Sequence, residues 1–192
     1  MVQKPDAFSF EDAASVPIAF LTAFYGLHHF AELAAGERIL IHAGAGGTGL
    51  LLTQMVKYLG GYVFSTVSTE AKAALSRGAG ADHVIIYTQQ DFAKEVKRAT
   101  GGEGVQVVYD SVGKDTFAES LDCLAPRGLM VLFGQSSGPV PLFELGTLAA
   151  KGSLYLTRPT LFTYVASRAE LEDCAGALMD VVSSDVVKIE VN

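Results

Sequence analysis

Gly44-Ala-Gly46-Gly47-Thr48-Gly49 separates two stretches of very different pattern. Before it runs the β-branched, apolar segment Ile39-Leu-Ile-His-Ala43, and after it Leu50-Leu-Leu-Thr-Gln-Met-Val, which has helical character. A G-x-G-x-x-G turn that leaves a strand and opens a helix constrains the chain more than any other feature, because it implies a βαβ unit built around a phosphate-bearing ligand. Gly44 permits the tight turn, Gly46 lets a pyrophosphate approach the backbone with no Cβ in the way, and Gly49 lets the helix pack closely on the strand. The helix N-terminus then presents free N–H groups and partial positive charge to the phosphates.

The remainder of the chain repeats this alternation. Short apolar runs at residues 38–43, 62–67, 83–86, 106–109, 129–133 and 153–156 read as strands buried on both faces. Helical stretches at residues 47–59, 70–78, 91–99, 114–124, 142–150 and 168–183 lie between or after them. The pattern predicts an α/β fold, a doubly wound parallel sheet of about six strands with right-handed crossovers, Rossmann-like in arrangement. Residues 1–192 form one dinucleotide-binding domain in this reading, with residues 1–35 as a helical lead-in that has no strand before it. The late start of the sheet and the strand-like run 187–192 suggest one domain of a longer two-domain protein.

Composition narrows the function classes. The 192 residues carry a formal charge of −7, against nucleic-acid binding, which needs basic surface to displace counterions. With 49% hydrophobic and 18% charged residues the chain has what a packed core requires. The four histidines, His28, His29, His42 and His83, fall at no metal-ligand spacing, and Cys123 and Cys174 form neither a CxxC pair nor a disulfide framework. No metal is expected from these residues, and a reduced, cytoplasmic setting fits. The N-terminus lacks the order of a signal peptide, and the apolar stretch 16–27 is shorter than the roughly 20 residues of a membrane span. A soluble chain with no membrane partner is expected.

Two further motifs bear on chemistry. The second strand ends at Ser68-Thr69-Glu70-Ala71-Lys72. An NAD-type site places a carboxylate about 20 residues past the glycines, to bind both ribose hydroxyls. Here Ser68 stands at the expected position, its small hydroxyl leaves room for a 2′-phosphate, and Lys72 on the next turn can neutralise it. The expected cofactor is NADP(H), with Glu70 as the competing NAD acid if the strand ends two residues later. Gly134-Gln135-Ser136-Ser137-Gly138 matches the hydrolase pattern G-x-S-x-G, but Pro139 and Pro141 oppose the helix a nucleophile elbow needs, and no histidine follows Ser136. It reads instead as a ligand-side loop. Leu50 in place of lysine after Gly49 excludes a Walker A loop, and no tyrosine has lysine four positions on, which excludes the Tyr-x-x-x-Lys site of short-chain dehydrogenases.

Together with the glycine turn, Phe20-Leu-Thr-Ala-Phe-Tyr, Val108-Tyr-Asp-Ser-Val-Gly113, Gly128-Leu-Met-Val-Leu-Phe-Gly134 and Ser153-Leu-Tyr-Leu-Thr-Arg-Pro159 carry a resemblance over almost the whole chain. The chain resembles the nucleotide-binding domain of the zinc-independent quinone oxidoreductase branch of the medium-chain dehydrogenase/reductase superfamily. That resemblance implies a second, GroES-like catalytic domain, largely absent from these residues, with the active site between the two. It also implies positions for the cofactor. Thr22 would lie near the nicotinamide, Gly46, Gly47 and Thr48 would hold the pyrophosphate, and Ser68, Lys72 and Tyr87 would face the adenosine 2′-phosphate. Ser111 would line the groove, and Phe133, Gly134, Gln135, Ser136, Thr157 and Arg158 would complete the nicotinamide side. Thr48 departs from the valine common in the family, a mild change because the backbone makes the contact.

The activity implied is NADPH-dependent hydride transfer to quinones or related conjugated carbonyls, with these residues binding the cofactor and turning over substrate poorly on their own. No side chain here is assigned as a catalytic acid. Two alternatives stay open: an enoyl reductase of polyketide or fatty-acid type, and a nucleotide-binding module without turnover. The resemblance further implies a homodimer joined through an edge strand near residues 152–157.

Overall fold

The structure, a computed structural model, describes residues 9–15, 21–23, 33–183 and 187–188. The expected lead-in over 1–35 and the strand-like run 187–192 therefore lie largely outside the described residues. Within the former, Phe10–Ser15 and residues 21–23 are helical.

Six strands form one fully parallel sheet: β1 Arg38–Ile41, β2 Tyr62–Val67, β3 His83–Ile86, β4 Val105–Asp110, β5 Leu124–Leu132 and β6 Tyr155–Thr157. Their spatial order is β3-β2-β1-β4-β5-β6. Chain order reverses direction between β1 and β4, the switch point where doubly wound sheets open a crevice at their C-terminal edge. The alternation of side chains along each strand sorts the core into two layers. Ile39, Ile41, Val63, Val107, Tyr109 and Val131 pack with Leu51, Leu52, Met55 and Val56 of the helix Gly47–Tyr58. Leu40, Phe64, Val108, Met130 and Leu132 face the other way, onto Phe92 and Val96 of the helix Phe92–Ala99 and Phe117 and Leu121 of the helix Phe117–Cys123. Burial on both faces explains why the strands read as unbroken apolar runs.

Several boundaries differ from those predicted, each for a local reason. β1 stops at Ile41, two residues short of the expected 43, because residues 42–45 already form the turn. β5 begins at Leu124, well before the expected 129. Pro126 and Gly128 are residues that weaken a strand, yet the strand passes through them with a register shift against β4 between Val105 and Val107. The expected helix 114–124 starts only at Phe117, the segment before it being drawn into a turn by Asp110. The helix expected over 142–150 is limited to Gly146–Ala150, and a short helix Leu161–Tyr164 was not expected at all.

At the N-terminal edge of the sheet, ion pairs tie elements together. Lys57 contacts Asp82 at 2.9 Å, and Asp82 also accepts from the Val63 backbone N–H at 2.7 Å, joining the end of the first long helix to β2 and β3. Arg38 contacts Glu103 at 2.6 Å.

Candidate functional site

The turn after β1 is built from backbone hydrogen bonds to both neighbouring strands. His42 N–H donates to the Tyr109 carbonyl and Gly44 N–H to the Thr66 carbonyl, each at 3.0 Å. Ala43 takes a positive φ of 52° between them. The glycines do different jobs. A Cβ on Gly44 would run into the Ser65 hydroxyl, which is tied to Ser76 at 2.7 Å. One on Gly49 would stand 2.5 Å from the Ala43 carbonyl oxygen and 2.8 Å from the Gly44 Cα, so only glycine lets the helix approach the strand. Gly46 is exposed, and among the described residues a Cβ there would meet within 4 Å only the Ala43 oxygen, at 3.2 Å. Gly46 also serves as the N-cap of the helix Gly47–Tyr58, with no side-chain cap and no acidic residue in the first turn. The amides of Gly47, Thr48 and Gly49 have no carbonyl four residues back within the helix. The helix opens as an electropositive end facing outward, which is what an anion requires.

From this turn a cleft of about 810 Å³ runs along the C-terminal edge of the sheet, on the side of the helices Phe92–Ala99 and Phe117–Cys123. His42, Thr66 and Val67 are among its floor residues, Ala45 and Gly46 stand at the turn, and Ser68, Lys72 and Tyr87 close one end. Ser68 is anchored through its carbonyl, which accepts from the Thr88 hydroxyl at 3.0 Å. Thr69 caps the helix Glu70–Gly78 by accepting from the Lys72 N–H at 3.3 Å, and this places Lys72 one turn in, on the cleft. Glu70 does not line the cleft; it pairs with Arg77 at 3.6 Å on the helix surface. Lys72 is the only lysine or arginine among the lining residues and makes no ion pair among the described residues.

The other expected positions divide. Ser136 lines the cleft as well. Thr22 is half-buried in the short helical segment 21–23, and Thr157 lies in the edge strand β6. Phe133 is partly buried against the core layer of Ile39, Ile41 and Val131. Arg158 donates to the Pro159 carbonyl at 3.0 Å, and Gln135 is exposed. Ser111 and Gly134 meet each other: a Cβ on Gly134 would lie 2.5 Å from the Ser111 carbonyl oxygen, so that glycine is required by loop packing. The stretch 134–138 is a loop that no helix follows directly, so Ser136 is not on a nucleophile elbow.

A further wall of the cleft, made by Gln89, Gln90, Asp91 and Phe92 on one side and Val112, Asp115, Thr116 and Glu119 on the other, was not anticipated. These residues follow β3 and β4, and only the sheet order brings them together.

His42 is the one buried ionisable group in the floor. Its Nδ1 lies 2.9 Å from the Thr66 hydroxyl and its Nε2 2.8 Å from the Ser120 hydroxyl, with the Phe92 ring edge-on at 4.9 Å. Burial lowers its pKa below the usual 6.5, against the opposing pull of the Asp110 carboxylate. The unfolded chain therefore takes up this proton first, and native stability falls as pH drops through the window below 6.5. H42N, with no ionisable ring, is expected to flatten that part of a plot of melting temperature against pH. An unchanged slope assigns the acid sensitivity to other groups. Cys123, pushed up to about 12 by burial, is held as a thiol.

A fully parallel sheet in this order, with an uncapped glycine turn at its switch point and a cleft along the same edge, defines a dinucleotide-binding domain. The chain belongs to the zinc-binding dehydrogenase family, which matches residues 47–178, and within it to the quinone oxidoreductase branch of the medium-chain dehydrogenase/reductase superfamily. The quinone oxidoreductase of Salmonella typhimurium is 48% identical over 187 residues, covering 97% of this chain. This chain spans 57% of that relative's length. The crystal structure of Escherichia coli quinone oxidoreductase complexed with NADPH superposes with a TM-score of 0.93 at 47% identity, over 98% of this chain and 58% of that one. Enoyl reductases stand further off: CurK has a TM-score of 0.84 at 32% identity, over 97% of this chain and 55% of its own. Among the described residues no three His, Cys, Asp or Glu side chains gather into a group that could hold a metal ion such as the zinc in the family's name. No helix among them is long and apolar enough to cross a membrane.

Proposed function

We propose that this chain is the cofactor-binding part of an NADPH-dependent oxidoreductase acting on quinones or related conjugated carbonyls. The observation that carries the reading is the cleft, which joins an exposed, uncapped helix N-terminus to Lys72, in the first turn of the helix after β2, which makes no ion pair among the described residues. Both are sites for phosphate, and Glu70, the carboxylate that would favour a free ribose, is turned away. The similarity to an NADPH-complexed enzyme supports the same assignment.

The residues fit the cofactor. The backbone at Gly46, Gly47 and Thr48 would hold the pyrophosphate, with Gly44 and Gly49 shaping the turn, and Ser68, Lys72 and Tyr87 would hold the 2′-phosphate. Thr22, Ser111, Thr157 and Arg158, with Phe133, Gly134, Gln135 and Ser136, would flank the nicotinamide side. When bound, the reduced nicotinamide supplies the hydride. This chain contributes orientation and exclusion of water from the groove. In the same reading the protein works in the cytoplasm as a homodimer, with the sheet edge near residues 152–157 as the joint, since among the described residues β6 is paired on one side only.

Calorimetric titration with NADPH and with NADH tests the assignment. NADPH is expected to bind at least about tenfold tighter, a difference of about 1.4 kcal/mol. Equal affinities would return the ribose contact to Glu70, and no binding of either would overturn the reading. Turnover of acyl thioesters but not quinones by the full-length protein would move the substrate to the enoyl-reductase class.

A further inference from the structure

The loops that follow β4 and β5 are fastened to each other as closely as strands are. Asp110, the last residue of β4, is fully buried. Its Oδ1 accepts from the N–H groups of Val112 at 2.7 Å and Gly113 at 3.1 Å, and its Oδ2 accepts from the Thr116 hydroxyl at 2.7 Å. This folds residues 111–116 into one compact turn. The β5 loop then crosses it in van der Waals contact. Gly134 lies against the Ser111 backbone, and a Cβ on Gly113, at φ 91°, would stand 2.9 Å from both the Gln135 Cα and the Gly138 oxygen.

Hydrogen bonds seal the crossing. Ser136 N–H donates to the Ser111 carbonyl at 3.1 Å, Ser137 N–H to the Val112 carbonyl at 2.9 Å and Lys114 N–H to the Gly138 carbonyl at 3.2 Å. One side chain bridges the loops in both directions: the Ser137 hydroxyl donates to the Val112 carbonyl at 2.8 Å and accepts from the Asp115 N–H at 3.0 Å.

We propose that Asp110 and Ser137 are positioning residues that lock these two loops into a single clasp, so that both halves of the cofactor groove are set by one rigid unit. The inference rests on the NADPH reading above. Asp115 and Thr116 line the cleft with Gln90 and Asp91, and Ser136 and Ser137 of the β5 loop line it too; Phe133 and Gln135, in the same loop, are the positions that the proposed function gives to the nicotinamide side. The geometry makes an unfastened β5 loop costly to both. Without the Ser137 hydroxyl the Asp115 amide loses its partner and the Val112 carbonyl keeps the Ser137 N–H, so the crossing is left to its backbone hydrogen bonds and the wall can shift against the β5 loop.

The test measures the affinity of the 192-residue chain for 2′,5′-ADP, which lacks the nicotinamide half, and for NADPH, whose nicotinamide fluorescence reports its own surroundings. S137A is expected to weaken both ligands by about tenfold and to change the fluorescence of bound NADPH. S137T, which keeps the hydroxyl, is expected to restore both. D110N keeps the Oδ1 acceptor and presents an N–H to Thr116, so it should bind like the parent, whereas D110A should not. If D110A does not fold, the Ser137 pair decides alone. Weakening of one ligand only, or unchanged affinity with a lowered melting temperature, overturns the clasp and leaves Ser137 a local or purely structural residue. Failure of the parent chain to bind either ligand would instead strike the NADPH reading on which the clasp rests.

Discussion

G46A is expected to lower the melting temperature of the chain only slightly and to weaken NADPH on the order of a hundredfold, the equivalent of one to two charge-assisted hydrogen bonds. G49A is expected to do the reverse, lowering stability by about 1–3 kcal/mol. The two positions lie in one turn and differ in what a methyl group meets. At Gly46 the only neighbour among the described residues is the Ala43 oxygen at 3.2 Å, and the space beyond is where a pyrophosphate would lie. At Gly49 the neighbours are the Ala43 oxygen at 2.5 Å and the Gly44 backbone at 2.8 Å, neither of which can yield without moving the helix off the strand. For a domain of this size the loss would lower the melting temperature by roughly 2–12 °C. Thermal unfolding beside ligand titration separates the outcomes. If G46A loses stability as G49A does, the turn is a packing device and its ligand role falls.

K72A is expected to erase most of the preference for NADPH over NADH, weakening NADPH by about tenfold and leaving NADH within a factor of about two. The exposure of Lys72 limits the effect, since solvent screens the pair it would make. Its position supplies the selectivity: Thr69 caps the helix so that Lys72 projects at the cleft, and Glu70 is occupied by Arg77. Equal weakening of both cofactors would show that Lys72 contributes general positive charge and does not read the 2′-phosphate. Calorimetry on the parent and K72A with both nucleotides distinguishes the cases.

The residues legible in the sequence are those whose role is decided by neighbours in the chain. The glycine turn could be assigned glycine by glycine because strand, turn and helix are contiguous, and Ser68 and Lys72 because they follow a strand end at short range. The six strands were legible because burial on both faces leaves an apolar run. β5 was foreshortened: Pro126 and Gly128 are residues that weaken a strand, and the strand passes through them with a register shift. The cleft wall of Gln90, Asp91, Thr116 and Glu119 had no signal, because β3 and β4 stand on opposite sides of the β1–β2 pair and only the crossover order makes their loops face each other. Gly134 was assigned to the nicotinamide side from the resemblance, and its second role, the missing side chain that accommodates Ser111, could not be read from the sequence. Ser137 was passed over for Ser136 next to it. Which of two adjacent serines bridges to another loop depends on backbone direction, and composition carries no trace of that.

The ion pairs of Lys57 with Asp82 and of Arg38 with Glu103 belong to the opposite rim of the sheet from the glycine turn. A parallel sheet makes this separation unavoidable, since every strand starts at one rim and ends at the other. Inheritance can therefore act on the two rims separately. Changes at the ion-paired rim can toughen or relax the scaffold without touching the residues that meet a ligand at the other. A lineage built on this fold can exchange one cofactor or substrate for another without first having to find a new way to stay folded.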